Sequence, residues 1–168
     1  ALTVSATARR EGLSNAPATS AHHSNLSKLS DFLAKLPFKF RVNSGYRSPT
    51  VNAAVGGAGA SQHMQGLATD LSPLDATNRE VAAWLYNHRS KFPELDQVMW
   101  YTDTSHVHIG ICPPGAQGCP SSSSPRGQFK YASKEGGSYH AWAPTLDEQA
   151  MMAARVAYQE PFKTLGKV

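Results

Sequence analysis

Three polar side chains in this sequence have the types needed to hold one metal ion. His63 and Asp70 lie within the stretch Ser61-Gln-His-Met-Gln-Gly-Leu-Ala-Thr-Asp70, and His108 lies within Ser105-His-Val-His-Ile-Gly110. Two neutral imidazoles and one carboxylate form a typical three-ligand zinc set, which leaves a fourth position open to water. The sequence therefore predicts Zn²⁺ as a cofactor and hydrolysis as the chemistry.

The spacing of the first two candidate ligands predicts the element that positions them. Gly66 and the small Ala68 lie between His63 and Asp70, so the chain can turn sharply after the histidine and enter a short strand. We expect Asp70 on that strand and His63 on the loop before it.

The third candidate ligand lies in a segment that reads as a second strand. Residues 107 to 111 are rich in β-branched side chains, and His106 and His108 alternate with them, so a strand places both imidazoles on one face. A lone histidine is usually a surface residue or a satisfied core residue. The joint pattern favours a metal site.

Several motifs recur in an order that resembles a known family. They are Ser44-Gly-Tyr-Arg-Ser-Pro49, Asn52-Ala-Ala-Val-Gly-Gly57, the stretch from Ser61 to Asp70, and His106-Val-His108. Over residues 3 to 111 the chain resembles the zinc D-alanyl-D-alanine carboxypeptidase family of peptidoglycan peptidases. The resemblance implies that His63, Asp70 and His108 are the zinc ligands. It also implies that His106 hydrogen-bonds the reacting group and that Arg47 binds substrate.

The residues around Arg47 agree with a substrate-binding role. Arg47 precedes Ser48-Pro49 in a turn, and its planar guanidinium can meet a carboxylate through two parallel hydrogen bonds. The carboxyl terminus of a peptide is a natural target, although an arbitrary arginine is most often a solvated surface residue. We also expect Ser61 and Gln62, which directly precede His63, to contact substrate.

The general base is the least determined part of the site. Many zinc peptidases of this group carry a carboxylate a few residues before the last histidine, but in this chain the position three residues before His108 is Ser105. We therefore consider two catalytic candidates, His106 and Asp103, to take or relay the proton of the attacking water. His106 could instead donate to the developing oxyanion, and the sequence does not choose between these roles.

Composition and charge narrow the class of protein. The chain has 168 residues, 40% of them hydrophobic, and a net charge of +4, which is consistent with one compact domain and with affinity for an anionic cell-wall surface. Lys and Arg are scattered, which argues against nucleic acid as a partner. No apolar run reaches the ~18 residues of a membrane span.

The location of the protein is predicted only indirectly. The chain starts Ala1-Leu-Thr-Val and shows no basic start followed by an apolar core. A removed leader, loss of the initiator Met alone, or another route to the substrate would each fit. We expect an extracytoplasmic or cell-wall location, and a bacteriophage lysis or virion protein is one form that this could take.

Two cysteines, Cys112 and Cys119, follow the second predicted strand. A disulfide between them would close a small loop and stabilise the fold by ~2 to 3 kcal/mol, and it would require an oxidising compartment. Two reduced thiols are the alternative, and a second metal site is a weaker one.

Hydrophobic periodicity predicts an α+β fold in which a small antiparallel sheet carries the zinc site and helices flank it. We expect helices over residues 24 to 36, capped by Ser24 or Asn25, and from the capping box Thr77-Asn-Arg-Glu80 through His88, with a helical turn over 52 to 55. Strands are expected over 38 to 43, 97 to 101 and 107 to 111, the last two forming a hairpin. Trp84, Trp100 and Tyr101 are core residues or, alternatively, line a sugar-binding cleft.

Composition changes after residue 111. We predict a zinc peptidase domain over residues 1 to 111, then a Pro/Ser-rich linker and a C-terminal helical extension over 112 to 168, with a helix from Leu146 to Tyr158. The resemblance does not reach this part.

Three hypotheses for function remain. The first is a zinc metallopeptidase that cleaves peptidoglycan stem peptides, either at a terminal D-alanine or at another bond that involves a D-residue. The second is a wall-binding or virion structural protein that keeps the fold with little or no activity, and Ser105 motivates it. The third is another zinc-dependent module that retains the metal for a different ligand.

Overall fold

A computed structural model describes residues 1–120 and 125–154, and within them the fold is α+β. A six-stranded sheet has the order β1-β2-β4-β3-β5-β6. The strands are β1 (Phe40–Ser44), β2 (Ala68–Pro73), β3 (Leu95–Tyr101), β4 (Val107–Ile111), β5 (Gln128–Ala132) and β6 (His140–Ala141). The helices are α1 (Ala6–Glu11), α2 (Ser20–Ala34), α3 (Pro49–Ala54) and α4 (Asn78–Asn87), with 3₁₀ helices at Gln62–Gln65 and Arg89–Lys91 and a further helix over 146–154.

The two faces of the sheet have different roles. In β4, Val107, Ile109 and Ile111 are fully buried and belong to the hydrophobic core that also contains residues of α2 and α4. Side chains alternate along a strand, so His108 points to the opposite face. The core therefore lies on the helical side of the central strands, and the candidate ligands lie on the other side.

Helix α2 begins earlier than the sequence predicts. Thr19 is its N-cap, with its hydroxyl accepting from the backbone N–H of His22, so neither Ser24 nor Asn25 caps the helix. The prediction is wrong because Asn25 has a tertiary role: its buried side-chain amide donates to the carbonyls of Gln65 and Gln117. The buried leucines of this helix face the core, as expected.

Other predicted elements differ at their ends. The first strand starts at Phe40 rather than Phe38, and the predicted turn over 52 to 55 is a helix, α3, that begins at Pro49 with Ser48 as its N-cap. The capping box of Thr77 and Glu80 is confirmed, with both reciprocal hydrogen bonds present. The hairpin of β3 and β4 is also confirmed.

The segment after residue 111 contributes to the same sheet, which sequence periodicity did not predict. Strand β5 pairs with β3 in parallel, so the sheet is mixed rather than purely antiparallel. Phe129 of β5 and Met152 of the helix over 146–154 are both buried in the main core. The serine run 121–124 and the last part of the predicted helix, 155–158, lie outside the described residues.

Cys112 and Cys119 form a disulfide, which was one of the alternatives that the sequence left open. The closed loop is attached to α2 through the hydrogen bond from Asn25 to Gln117. Trp84 and Trp100 are buried in the core, whereas Tyr101 lines the cleft described below. No helix in the described ranges 1–120 and 125–154 combines the length and the apolar character needed to cross a bilayer.

Candidate metal centre

His63, Asp70 and His108 converge on one point of the sheet. Nε2 of His63 lies 3.3 Å from Nδ1 of His108 and 3.3 Å from Oδ1 of Asp70, and His108 Nδ1 lies 2.9 Å from Asp70 Oδ1. All three side chains are at most 10% exposed. The distances show that side chains far apart in sequence present one nitrogen or oxygen atom each to a common centre.

The 3₁₀ helix Gln62–Gln65 positions His63. Ser61 caps this helix, its hydroxyl accepting from the backbone N–H of His63, and Gly66 ends it at a φ of 70°, a left-handed conformation that favours glycine. The Nδ1–H of His63 donates to the carbonyl of Gly45 at 2.7 Å. Because that bond fixes the proton on Nδ1, Nε2 is left as a lone-pair donor toward the centre.

Asp70 and His108 are positioned by strand register. They are direct partners in the antiparallel pair of β2 and β4, and opposite residues on one face of such a pair have neighbouring side chains. Gly110, two residues further along β4, leaves room for the side chain of Gln62, which a Cβ at that position would meet at 2.4 Å. The register therefore brings the carboxylate and the imidazole together.

The three donors fit a zinc ion in chemistry and spacing. Ligand atoms about 2.0–2.2 Å from a tetrahedral zinc lie roughly 3.3 Å from one another, and the observed separations are 2.9 to 3.3 Å. Two imidazole nitrogens with one carboxylate oxygen are also a donor set that zinc accepts in catalytic sites. The residues present thus fit a divalent metal.

The second oxygen of Asp70 is held by Arg47. Nη2 of Arg47 donates to Oδ2 at 2.6 Å, and Nε of Arg47 donates to the hydroxyl of Ser44 at 2.8 Å. Arg47 is itself 8% exposed. The arginine predicted to bind substrate is therefore already paired with a candidate ligand carboxylate, and it orients Asp70 so that Oδ1 faces the two histidines.

The electrostatics of the cluster favour an ionised carboxylate. Burial by itself would raise the pKa of Asp70, but the charge and hydrogen bonds of His63 and His108 hold it well below its ordinary value. Burial lowers the pKa of His108, against the opposing effect of Asp70. An ionised aspartate and a neutral imidazole are the protonation states that metal ligands require.

His106 lies beside the cluster on the same side of the sheet. Its Nε2 is buried, lies 3.7 Å from Asp70 Oδ1, and has no hydrogen-bond partner among the described residues. The ring packs against Tyr101, with the centroids 4.7 Å apart. A buried, unpaired nitrogen next to a metal cluster is suited to meet a polar atom of a bound ligand.

Asp103, the other predicted catalytic residue, does not point into the site. It lies in the turn between β3 and β4, where Oδ1 accepts from the backbone N–H of Ser105 at 3.0 Å. Hydrogen bonds from Ser105 lower its pKa. Its carboxylate is not among the groups that line the clefts described next, so its placement is that of a turn-stabilising residue.

Two clefts meet at the cluster. The first cleft is lined by His63, His108, Tyr101, Gln62, Arg126 and Tyr139, among others, and the second by Ser5, Asn43, Val51, Asp70 and His106, among others. Arg47 and Glu135 line both clefts. The site is therefore open on two sides. The guanidinium of Arg47 and the carboxylate of Glu135 lie where the two clefts meet.

Ser61 and Gln62 have structural contacts as well as a place in the first cleft. Ser61 caps the 3₁₀ helix, and the buried Gln62 donates to the carbonyl of Ile111 and accepts from Arg126. Arg126 in turn forms a close ion pair with Asp96, which is completely buried. The two predicted substrate contacts thus also connect the ligand-bearing helix to the sheet.

Sequence reasoning missed Glu135, Tyr139 and Arg126. Glu135 Oε2 lies 3.9 Å from His106 Nε2, and the hydroxyl of Tyr139 lies 3.3 Å from that of Tyr101. No motif marks these residues, and they lie in the segment after residue 111 that the resemblance does not reach. A strand predicted at β5 could have indicated these residues, because the pairing of β5 with β3 brings the chain back beside the site.

Comparison with known proteins agrees with the geometry. The family described as Peptidase M15 matches residues 1–110, which include the whole His–Asp–His cluster, and no curated protein matches the chain. M15 peptidases are metallopeptidases, as the cluster suggests. Because the match spans well over half of the 168 residues, the chain belongs to the peptidase M15 family of zinc D-alanyl-D-alanine carboxypeptidase type.

Proposed function

We propose that this metallopeptidase hydrolyses the stem peptides of peptidoglycan with zinc as its metal, and that it removes a terminal D-alanine. The observation that carries the proposal is the buried cluster of His63, Asp70 and His108 at zinc-ligand spacing, open to two clefts, in a chain of the M15 family. Zinc would be held by these three residues and would supply Lewis acidity toward the scissile carbonyl and toward water.

The residues of the chain divide the remaining tasks. Arg47 lines both clefts and uses Nε and Nη2 on Ser44 and Asp70. A guanidinium has five N–H donors, so others can meet the carboxylate of a peptide terminus. This supports cleavage next to a free carboxyl end rather than in the middle of a chain.

His106 is placed to stabilise charge on the substrate. Its Nε2 is desolvated and has no partner in the described part of the chain, so a hydrogen bond to the carbonyl oxygen of the substrate would satisfy it. That bond strengthens as negative charge develops on the oxygen, which lowers the barrier. His106 therefore serves as an electrophilic donor in this proposal.

Other features support a cell-wall location as part of the proposal. The disulfide of Cys112 and Cys119 is of a kind that persists in oxidising, extracytoplasmic compartments. The net charge of +4 favours contact with anionic wall polymers. We include both bacterial enzymes and phage lysis or virion enzymes in this proposal, since each acts on the same material.

Mass spectrometry of purified muropeptides tests the proposal. Digestion with the zinc-loaded protein should release free D-alanine from pentapeptide stems, and a chelator should stop the reaction. Fragments from a cut cross-link would instead identify an endopeptidase. Wall binding without any cleavage would favour the alternative of a non-catalytic wall-binding or virion protein.

A further inference from the structure

The site described so far lacks an assigned proton acceptor. Ser105 occupies the position where an acid is expected, and Asp103 is engaged with the turn backbone. Among the described residues that line the two clefts, the carboxylates are those of Asp70 and Glu135. Asp70 belongs to the metal cluster and is paired with Arg47, which leaves Glu135 as the carboxylate to consider.

Glu135 is positioned at the junction of the two clefts. Its Oε2 lies 3.9 Å from Nε2 of His106, the buried nitrogen that has no partner within the described ranges. The same nitrogen lies 3.7 Å from Asp70 Oδ1. These separations are too long for hydrogen bonds but short enough for one water or one substrate atom to lie among the three groups.

The fold holds the backbone of Glu135 at this place. The loop between β5 and β6 starts with two backbone hydrogen bonds, from Thr102 N–H to the carbonyl of Ala132 and from Asp103 N–H to that of Ser133. Both bonds tie the loop to the turn between β3 and β4, directly beside His106. The loop that carries Glu135 therefore enters the site at a fixed point.

A tyrosine pair anchors the other end of the loop. The hydroxyls of Tyr139 and Tyr101 are 3.3 Å apart, and Gly136 N–H donates to the hydroxyl of Tyr139. Burial raises the pKa of Tyr101, and Tyr139 and Glu135 add to this effect, so its hydroxyl stays protonated. Glu135 thus lies in a loop anchored on both sides, while its side chain is 60% exposed and can adjust to a ligand.

We propose that Glu135 is the general base of the reaction, and this inference rests on the proposed function. In the forward step an O–H bond of water breaks and its proton passes to the Glu135 carboxylate. The water oxygen bonds to the carbonyl carbon of the substrate, and the π electron pair of the C=O bond moves to the carbonyl oxygen. In the second step that electron pair re-forms the C=O bond, the C–N bond breaks, and the same proton passes from Glu135 to the departing amine nitrogen. Two products and an unchanged carboxylate result.

Glu135 lies in a part of the chain that the family comparison does not cover. Residue 135 lies beyond the matched range of 1–110, on a loop between two strands that sequence periodicity did not predict. The segment after residue 111 would then be a required part of the catalytic unit rather than an appendage. Truncation after residue 111 would remove the base together with β5.

The test compares Glu135→Gln with Asp103→Asn in the full-length, zinc-loaded protein. We expect Glu135→Gln to lower kcat on a pentapeptide muropeptide by about 100-fold or more, the usual contribution of a general base, with KM nearly unchanged. Asp103→Asn should keep kcat within about twofold, since its carboxylate faces the turn. Glu135→Asp should recover part of the loss.

Two measurements besides turnover separate a base from a structural residue. Elemental analysis should find equal zinc in Glu135→Gln and wild type, and calorimetry should find muropeptide affinity within about threefold, because a proton acceptor adds little to ground-state binding. Parallel loss of zinc or of affinity would instead identify a structural role and overturn the inference.

The outcomes also separate this inference from the proposed function. If the wild type cleaves muropeptides and Glu135→Gln cleaves them equally fast, the base assignment is wrong and the function stands. If Asp103→Asn alone abolishes turnover, Asp103 is the base and the inference is again overturned. A zinc-loaded wild type that cleaves no muropeptide would refute both.

Discussion

Asp70 and His108 are direct partners across β2 and β4, and Oδ1 of the aspartate lies 2.9 Å from Nδ1 of the histidine. This cross-strand pair supplies two of the three candidate metal donors from neighbouring interior strands of the sheet. His63 completes the cluster from a 3₁₀ helix whose capping and hydrogen bonds fix its ring. The site is therefore largely pre-formed by the fold.

Replacement of His63 by Ala should abolish tight zinc binding, because two donors cannot close a three-ligand site. Elemental analysis after dialysis should show about one zinc per chain in the wild type and close to none in the variant. His140→Ala is the matched control, since His140 is exposed on β6. Equal zinc in the wild type and His63→Ala would refute the assignment of this ligand.

Arg47→Lys should weaken zinc binding by about 10-fold, the lower range for loss of a group that orients a ligand. A lysine retains the charge but cannot bridge Ser44 and Asp70 through two nitrogens as Arg47 does. Competition with a chromogenic chelator measures the change. Arg41→Lys, at an exposed position on β1, should leave affinity unaltered.

Gly45→Ala should shift the ring of His63 although it replaces none of the three residues of the cluster. A Cβ at Gly45 would lie 2.2 Å from the backbone carbonyl oxygen of Leu2, so the Gly45 carbonyl that accepts from His63 must move. We expect lower zinc affinity, measured by the same competition assay. Gly59→Ala, where an added Cβ meets nothing within 4 Å, is the control and should behave as wild type.

Removal of the disulfide should destabilise the protein by roughly 2–3 kcal/mol, the expected effect of opening a short loop. The double variant Cys112→Ser, Cys119→Ser breaks the loop that contacts α2 through Gln117. Urea denaturation measures the free energy of unfolding. Addition of a reductant should lower the stability of the wild type but not that of the double variant, and an equal response of both would contradict the prediction.

Glu148 should make a pH-dependent contribution to stability. Burial tends to raise its pKa, but the ion pair with Arg79 and the hydrogen bond that the backbone N–H of Thr145 donates to the carboxylate lower the pKa below its ordinary value. A lowered pKa in the folded state means that stabilisation is present above the unfolded value of about 4.3 and is lost as the pH falls through the lower folded value.

The comparison of wild type with Glu148→Gln measures this effect. We expect the variant to be less stable by about 1 kcal/mol at pH 7, the scale of a helix-capping interaction. The difference should shrink as the pH falls below the unfolded value of about 4.3, and it should vanish once the pH is also below the lowered pKa of the folded state. Urea denaturation at the two pH values measures it, and a difference that grows in acid would show that the sign is wrong.

Local patterns in the sequence predicted the elements that carry the ligands. The alternation around His106 and His108, with the turn before them, predicted the β3–β4 hairpin. The capping box of Thr77 and Glu80 predicted the start of α4. These features depend on neighbouring residues, whose spacing is visible in the sequence. The start of α2 was wrong because the polar Asn25 is buried by contacts with Gln65 and Gln117, far along the chain.

The sequence by itself determined which functional groups are present: two imidazoles and a carboxylate at strand and turn positions. These groups are typical of a metal-binding site. The tertiary structure decided how the surrounding groups are used. It pairs Arg47 with Asp70, turns Asp103 toward the backbone, and brings Glu135 to His106 through the parallel pairing of β5 with β3. Such contacts join residues distant in sequence, and their energy depends on burial and register, which a linear pattern does not contain.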